Sequence, residues 1–256
     1  MKPLSRNISG IARRLRSARR LLLVLDFDGT LAPIVGDPDR ARIEPELLRV
    51  LRRIVRRPRT RVAVISGRSL RDLRGKLRLP GAVLLGNHGL EADARVLRTH
   101  TEVIKARRLI PVLDIFHRKL RTTVGRWPGV RVEHKRWTVS VHYRGLPAER
   151  RPLLERMLTY YRKRLSAYPV RWKRGKQVVE VRPDVRWDKG RAADRLYRAW
   201  RADDALVCGD DRTDEDMFKA LRGRAVTVRI GRGRSSAAAY AVGSPSQLHD
   251  LLEKLC

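Results

Sequence analysis

Asp26 and Asp28 stand two residues apart, directly after the apolar run 21–25, in the segment Asp26-Phe27-Asp28-Gly29-Thr30. In extended backbone such residues share a side, so both carboxylates face the same way. Two ionised carboxylates about 4 Å apart repel by roughly 4 kcal/mol at an effective dielectric near 20. A second apolar run, 205–208, ends on Gly209-Asp210-Asp211-Arg212-Thr213-Asp214, and a third, 61–65, ends on Ser66-Gly67-Arg68. Bringing Asp210 beside the first pair deepens the repulsion, which a shared proton or a bound cation must relieve. A donor set made only of oxygens suits Mg2+, which takes carboxylates, carbonyls, water and phosphate oxygens. The Ser66 hydroxyl and the amides that open the following helix suit a phosphate oxygen. Lys189, in Lys189-Gly190 at the start of another helix, offers a cation to the same anion.

Each feature has a plainer explanation. Asp-Gly favours turns, and Ser is a common helix N-cap. Residues 210–216 hold five carboxylates in a chain with 27 acidic against 59 basic residues. Capping accounts for Thr213 as N-cap, with Glu215 and Asp216 in the first turn. It does not account for Asp210 and Asp211 at the end of an apolar run. The convergence of three such ends favours chemistry over three coincidences.

Something must hold these ends together. The run 21–25 is apolar at every position, as in a strand buried on both faces of a parallel sheet. Helical spacing follows over 45–57, with Pro45 in the first turn, then a strand over 61–65, a helix over 69–77 and a strand over 82–85. The alternation returns with a helix over 189–200, a strand over 205–208, a helix over 214–221, a strand over 225–230 and a helix over 246–255. This predicts an α/β domain with a doubly wound, mostly parallel sheet. Ligands of such sheets bind beyond the carboxyl ends of the strands, where the three motifs lie. The middle differs: strands over 130–136 and 138–144, a long helix over 150–167, and a hairpin of 170–173 with 177–181 around Arg174-Gly175. We read 108–184 as an α+β insertion between two parts of one core, 1–107 and 185–256.

Composition bounds the remaining classes. The 256 residues are 42% hydrophobic and 34% charged, enough apolar content for a core. The net charge is +32, and only 11 of the 59 basic residues are lysine. Arginine occurs in nearly every block of ten, which points to a solvated basic surface rather than one patch. There is no zinc-finger spacing and no aromatic-rich RNA-binding signature, so specific nucleic-acid binding is not expected. The two cysteines, Cys208 and Cys256, form no disulfide framework, which suits a reducing, cytoplasmic setting. No apolar run reaches 18 residues, so no membrane span is expected. The basic stretch 1–18 followed by 21–25 mimics a signal peptide, but the apolar part is short and lacks a small-residue cleavage site.

Taken together, Asp26-Phe27-Asp28-Gly29-Thr30-Leu31, Ser66-Gly67-Arg68, Lys189-Gly190 and Gly209-Asp210-Asp211-Arg212-Thr213-Asp214 resemble the four ordered motifs of haloacid dehalogenase (HAD) superfamily phosphatases. More narrowly, Gly86-Asn87-His88-Gly89-Leu90-Glu91, Glu133-His134-Lys135, His142-Tyr143-Arg144 and Gly175-Lys176 through Glu180 resemble the trehalose-6-phosphate phosphatase family. The resemblance implies a Rossmann-type core with an inserted cap, and a Mg2+-dependent phosphatase of a small sugar phosphate. By it, Asp26 is the nucleophile, and Asp28 the general acid and base. Ser66 and Lys189 hold the phosphate, and Mg2+ sits on Asp26, the Asp28 backbone carbonyl and Asp210, with Asp214 nearby. Arg68, Glu133, Lys135, His142, Arg144, Lys176 and Glu180 are the implied substrate-binding residues. Glu133 with Lys135, and His142 with Arg144, share strand parity, so one face of the cap sheet would meet the sugar. A phosphatase of sucrose phosphate or mannosyl-phosphoglycerate shares the core motifs, and the cap residues favour the trehalose ester. The expected protein is a monomer acting on a small molecule.

Overall fold

The structure, a computed structural model, describes residues 1–231 and 235–256. The chain divides into two compact units, Met1–Arg98 with Trp187–Cys256, and Thr99–Arg186. The second unit is nine residues longer at its start than the insertion read from the sequence, and two longer at its end.

The first unit begins with β1 (Lys2–Pro3), α1 (Ile8–Ser17), β2 (Leu21–Leu25), α2 (Pro45–Val55), β3 (Thr60–Ile65), α3 (Leu70–Lys76), β4 (Val83–Gly86), β5 (Glu91–Ala92) and α4 (Arg95–Arg98). The second unit contains α5 (Thr101–Arg107), α6 (Ile110–Thr122), β6 (Arg131–His134), β7 (Val139–His142), α7 (Arg151–Arg164), β8 (Val170–Gly175) and β9 (Val178–Pro183). The chain returns to the first unit with α8 (Lys189–Trp200), β10 (Asp204–Gly209), α9 (Glu215–Ala220), β11 (Val226–Ile230), β12 (Tyr240–Val242) and α10 (Pro245–Glu253).

Among the described residues, the first unit's strands form one sheet in the order β1-β12-β11-β10-β2-β3-β4-β5. Every pairing is parallel except β4 with β5. Both faces of β2 are covered, which is why it is apolar throughout. Leu21, Leu23 and Leu25 pack with α1, α2 and α10, while Leu22 and Val24 pack with α8 and α9. The fold is thus α/β and doubly wound, as the alternation predicts. At its centre β2 lies between β10 and β3, so the strand that delivers Asp26 is flanked by those that deliver Asp210 and Ser66.

The second unit is an antiparallel sheet in the order β6-β7-β9-β8. Val139, Val141, Val179 and Val181 pack with Leu113, Phe116 and Leu120 of α6 and with Leu154, Leu158 and Tyr161 of α7. The alternate positions make the other face polar. Glu133 pairs in register with Ser140, Ser140 with Glu180, and Glu180 with Lys173.

Three local readings are corrected. Strand β7 ends at His142, because the Leu146 amide turns back to the Tyr143 carbonyl, so Arg144 sits in an exposed turn instead of sharing strand parity with His142. The hairpin turn falls on Lys176-Gln177, not on Arg174-Gly175. Gly175 pairs with Val178, whose side chain occupies the space a Cβ would take, and Gln177 takes the positive φ of 59°. Asp211, not Thr213, caps the turn before α9: its carboxylate accepts from Arg212, in a capping box with Asp214. No described helix is long and apolar enough to cross a membrane.

Candidate active site

The candidate site lies in the first unit. Asp26 follows the last residue of β2, and its amide donates to the Cys208 carbonyl of β10 at 3.0 Å. That bond ties the backbone of the first carboxylate to the strand leading to Asp210. Lys189 is the first residue of α8, whose N-cap Asp188 accepts from the Arg191 amide at 2.8 Å. The cap fixes where the helix begins, and therefore where the lysine points.

The Lys189 ammonium lies 2.6 Å from Asp26 Oδ1 and 2.7 Å from Asp214 Oδ1. Asp26 is 4% exposed, Lys189 3% and Asp214 0%. Burial works to lower the pKa of Lys189, but the charges of Asp26 and Asp214 outweigh it and hold the group above its ordinary range. The second Asp214 oxygen accepts from the amides of Asp210 at 2.9 Å and Asp211 at 3.0 Å. Asp214 thus holds the lysine with one oxygen and shapes the loop after β10 with the other. Gly209 permits this approach, since a side chain there would overlap Asp214.

Asp26, Asp210 and Asp214 each offer an oxygen within 4.8 Å of the others, the one such group of possible metal ligands among the described residues. Three carboxylates and one ammonium leave a surplus of negative charge. Burial pushes Asp26 well above the usual carboxylate range, with the charges of Asp214 and Asp210 adding to it and Lys189 opposing. Burial, then the charges of Asp214 and Asp211, push Asp210 up to about 6. Asp210 Oδ1 and the Thr30 hydroxyl are buried without a hydrogen-bond partner. Surplus charge, oxygen-only donors and an orphaned carboxylate oxygen together fit a hard cation. The turn between Asp28 and Thr30 is also shaped around Asp210. Gly29 has φ of +80°, and a Cβ there would overlap the Asp210 carboxylate.

Ser66 follows β3 and is fully buried, and its hydroxyl accepts from the Arg68 amide at 3.1 Å. The strained turn at Asn87 and His88, with φ of 47° and 56°, braces it. The Asn87 amide donates to the Arg68 carbonyl and the His88 amide to the Ser66 carbonyl, at 2.7 and 2.9 Å. Glu91 accepts from the Leu70 amide at 2.6 Å, so the N-terminus of α3 is already capped by a carboxylate.

Asp28 stands apart from the three clustered carboxylates. Its side chain is 41% exposed and is held by Arg68, whose Nη2 lies 2.6 Å from Asp28 Oδ1 and whose Nε lies 2.8 Å from Oδ2. Arg68 Nη1 lies 2.7 Å from Asp72 Oδ2. The family resemblance placed Arg68 among the substrate-binding residues, and Asp72 was not singled out, although an acid in the first turn of the helix that follows Arg68 was a signal.

Of the residues expected on the second unit, Glu133, His142 and Glu180 lie on the polar sheet face. His142 Nε2 is 3.1 Å from Glu133 Oε2. Lys135 lies just past β6, with Nζ 3.6 Å from Glu133 Oε1. Arg144 and Lys176 are in exposed turns. Ser140 and Lys173, in register on the same face, were not foreseen.

Residues 24–246 match the family profile described as Trehalose-phosphatase. The chain is 36% identical over 247 residues to a trehalose-phosphate phosphatase of Mycobacterium tuberculosis, covering 93% of this chain and 62% of that protein. It is 31% identical over 259 residues to a trehalose 6-phosphate phosphatase of Zea mays, covering 93% and 70%. Among solved structures, a trehalose-6-phosphate phosphatase related protein superposes with a TM-score of 0.72 at 25% identity, over 91% of this chain and 95% of that one. The trehalose-6-phosphate phosphatase of Aspergillus fumigatus gives 0.65 at 27%, over 97% and 96%. The chain thus spans less than two thirds of the length of the mycobacterial relatives.

Proposed function

The chain belongs to the trehalose-phosphatase family, and from that premise we propose that it hydrolyses trehalose 6-phosphate to trehalose and phosphate through an aspartyl-phosphate on Asp26. One observation carries the reading. A carboxylate at the end of the central strand is held by a buried lysine, with two further carboxylates within 4.8 Å.

Asp26 attacks phosphorus and displaces the sugar oxygen, splitting one slow hydrolysis into two faster steps. Lys189 touches both Asp26 and Asp214, so it orients the nucleophile and meets the negative charge that builds on the phosphoryl oxygens. The Ser66 hydroxyl binds one of those oxygens. Asp28, the accessible carboxylate, protonates the departing sugar oxygen and then takes a proton from the water that cleaves the aspartyl-phosphate. Mg2+ is the cation that best fits the oxygen-only cluster, and Asp26, Asp210 and the Asp28 carbonyl would hold it, with Asp214 nearby. When bound, it neutralises charge on the transferring phosphoryl group.

We assign sugar recognition to the polar sheet face of the second unit, read as a cap. Glu133, His142 and Glu180 present acceptors and a donor suited to hydroxyls, with Lys135, Arg144 and Lys176 in the adjoining turns. On this proposal the enzyme is a cytoplasmic monomer. Its free thiols Cys208 and Cys256 suit a reducing compartment.

The test is phosphate release from trehalose 6-phosphate, with and without Mg2+, by wild type and Asp26→Asn. Release that needs Mg2+ and vanishes in the variant, with sucrose 6-phosphate and glucose 6-phosphate poor, is the expected result. Turnover of another sugar phosphate alone would overturn the cap assignment, and silence on all esters would overturn the reaction.

A further inference from the structure

We infer that Arg68 is a positioning residue for the acid–base carboxylate Asp28, and that it acts on the proton transfer to the leaving sugar rather than on the phosphate. The inference rests on the reading of Asp28 given above.

The guanidinium is a planar fork of fixed donor directions, suited to orienting a carboxylate as well as binding it. Here the Nε and Nη2 edge faces Asp28, at 2.8 Å to Oδ2 and 2.6 Å to Oδ1, with a third contact of 3.1 Å from Nε to Oδ1. Both carboxylate oxygens are engaged, so the plane of the Asp28 carboxyl is set by the plane of the fork. The remaining edge is anchored, because Nη1 meets Asp72 on the first turn of α3 at 2.7 Å. The carbon of the guanidinium lies 5.6 Å over the ring of the buried Phe27. The Arg68 side chain is only 10% exposed, whereas Asp28 is 41% exposed. Arg68 is therefore the support and Asp28 the group that a ligand reaches. The chain of contacts runs from α3 through Asp72 and Arg68 to Asp28, and fixes a short side chain that leaves β2 without a helix of its own.

This placement matters for one bond. When the phosphoryl group passes to Asp26, the P–O bond to the sugar breaks and that oxygen keeps the electron pair. A sugar alkoxide is a poor leaving group and needs the Asp28 proton as the bond breaks. A nitrophenolate is stable without one. Misplacing Asp28 must therefore slow a sugar phosphate far more than an aryl phosphate. A residue that grips the phosphate would slow both alike.

The experiment compares kcat/KM for trehalose 6-phosphate and p-nitrophenyl phosphate, at saturating Mg2+, for wild type, Asp28→Asn, Arg68→Gln, Arg68→Lys and Asp72→Asn. This ratio reports only steps through the first phosphoryl transfer, before Asp28 acts as base. Asp28→Asn is expected to lose about 10²–10⁴-fold on the sugar ester and far less on the aryl ester. Arg68→Gln should follow the same pattern at about 10–100-fold, through kcat, with KM for trehalose 6-phosphate within about twofold of wild type. Arg68→Lys, charged but without a fork, should stay impaired, and Asp72→Asn should show a smaller loss of the same selectivity. The lysine and Asp72 variants carry the test if Arg68→Gln does not fold. Equal losses on both esters, or a loss carried by KM, would overturn the inference while leaving the Asp28 assignment intact. No leaving-group dependence in Asp28→Asn would overturn both.

Discussion

Lys189 Nζ lies 2.6 Å from Asp26 Oδ1 across 163 residues of sequence, and the two side chains are 3% and 6% exposed. The lysine also holds Asp214, so one cation balances two carboxylates that have almost no access to water. Its removal strands both charges.

Breaking such a buried pair on one side costs about 3–5 kcal/mol. Lys189→Met should therefore lower the melting temperature of the Mg2+-free protein by about 10 °C. Phosphate release from trehalose 6-phosphate should fall by about 10²-fold or more. A melting temperature within 2 °C of wild type would count against the ion pair as described.

The acidic cluster gives stability a pH dependence. Asp210 is raised from 3.8 to about 6, chiefly by burial and then by the charges of Asp214 and Asp211. Between these values the folded protein binds a proton that the unfolded chain has released, so stability falls as pH rises through that window. Under the proposed function Mg2+ would take the place of the proton, and its stabilising effect is expected to grow over the same range. Thermal unfolding should show a larger Mg2+-induced rise at pH 7.5 than at pH 5, and Asp210→Asn should remove most of the difference. Equal rises at both pH values would rule this out.

Gly29 is fitted against the Asp210 carboxylate at a φ of +80°. Gly29→Ala adds both backbone strain and a clash with the Asp210 carboxylate. Activity should fall by about 10²-fold, consistent with displacement of a catalytic group by about 1 Å. The Mg2+ concentration for half-maximal activity should rise. Unchanged Mg2+ dependence would show that the turn does not shape that cluster.

In the second unit His117 and His134 stack with centroids 4.7 Å apart and planes 14° from parallel. Burial, then the neighbouring His134, hold His117 below its ordinary 6.5. The folded state binds fewer protons than the unfolded chain there. The stability that this contributes is full above about pH 6.5 and is lost as pH falls towards the lower folded value. Hydrogen exchange in α6 and β6 should quicken between pH 7 and pH 5, after correction for intrinsic rates, and His117→Gln should flatten the change. Exchange independent of pH in wild type would refute it.

Much of the first unit was legible because its signals are local. The run Leu21–Leu25 and the helix Lys189–Trp200 follow directly from apolar continuity and helical spacing. Alternation places the motifs at the ends of β2, β3 and β10 on one edge of a parallel sheet, and the structure adds that those strands are neighbours. The contact of Arg68 with Asp28 was not legible, since it spans 40 residues and depends on side-chain direction. The helices α5 and α6 were also missed. Pro111 in the first turn and Leu113, Phe116 and Leu120 at helical spacing mark α6, but the outward Ile115 blurs the stripe. Gly175 misled because a glycine in a strand signals close packing as well as a turn.

The pairing of β2 with β10 joins Leu21 to Asp204. A ribosome therefore releases the strand that carries Asp26 long before the strand that covers its flank. Until residue 209 has emerged, β2 is an edge strand apolar on both faces, the kind of segment that recruits holding chaperones. The second unit, with its own core, finishes synthesis inside that interval. It can fold while the first unit waits, and no partly made chain carries both Asp26 and its lysine before residue 189 is added.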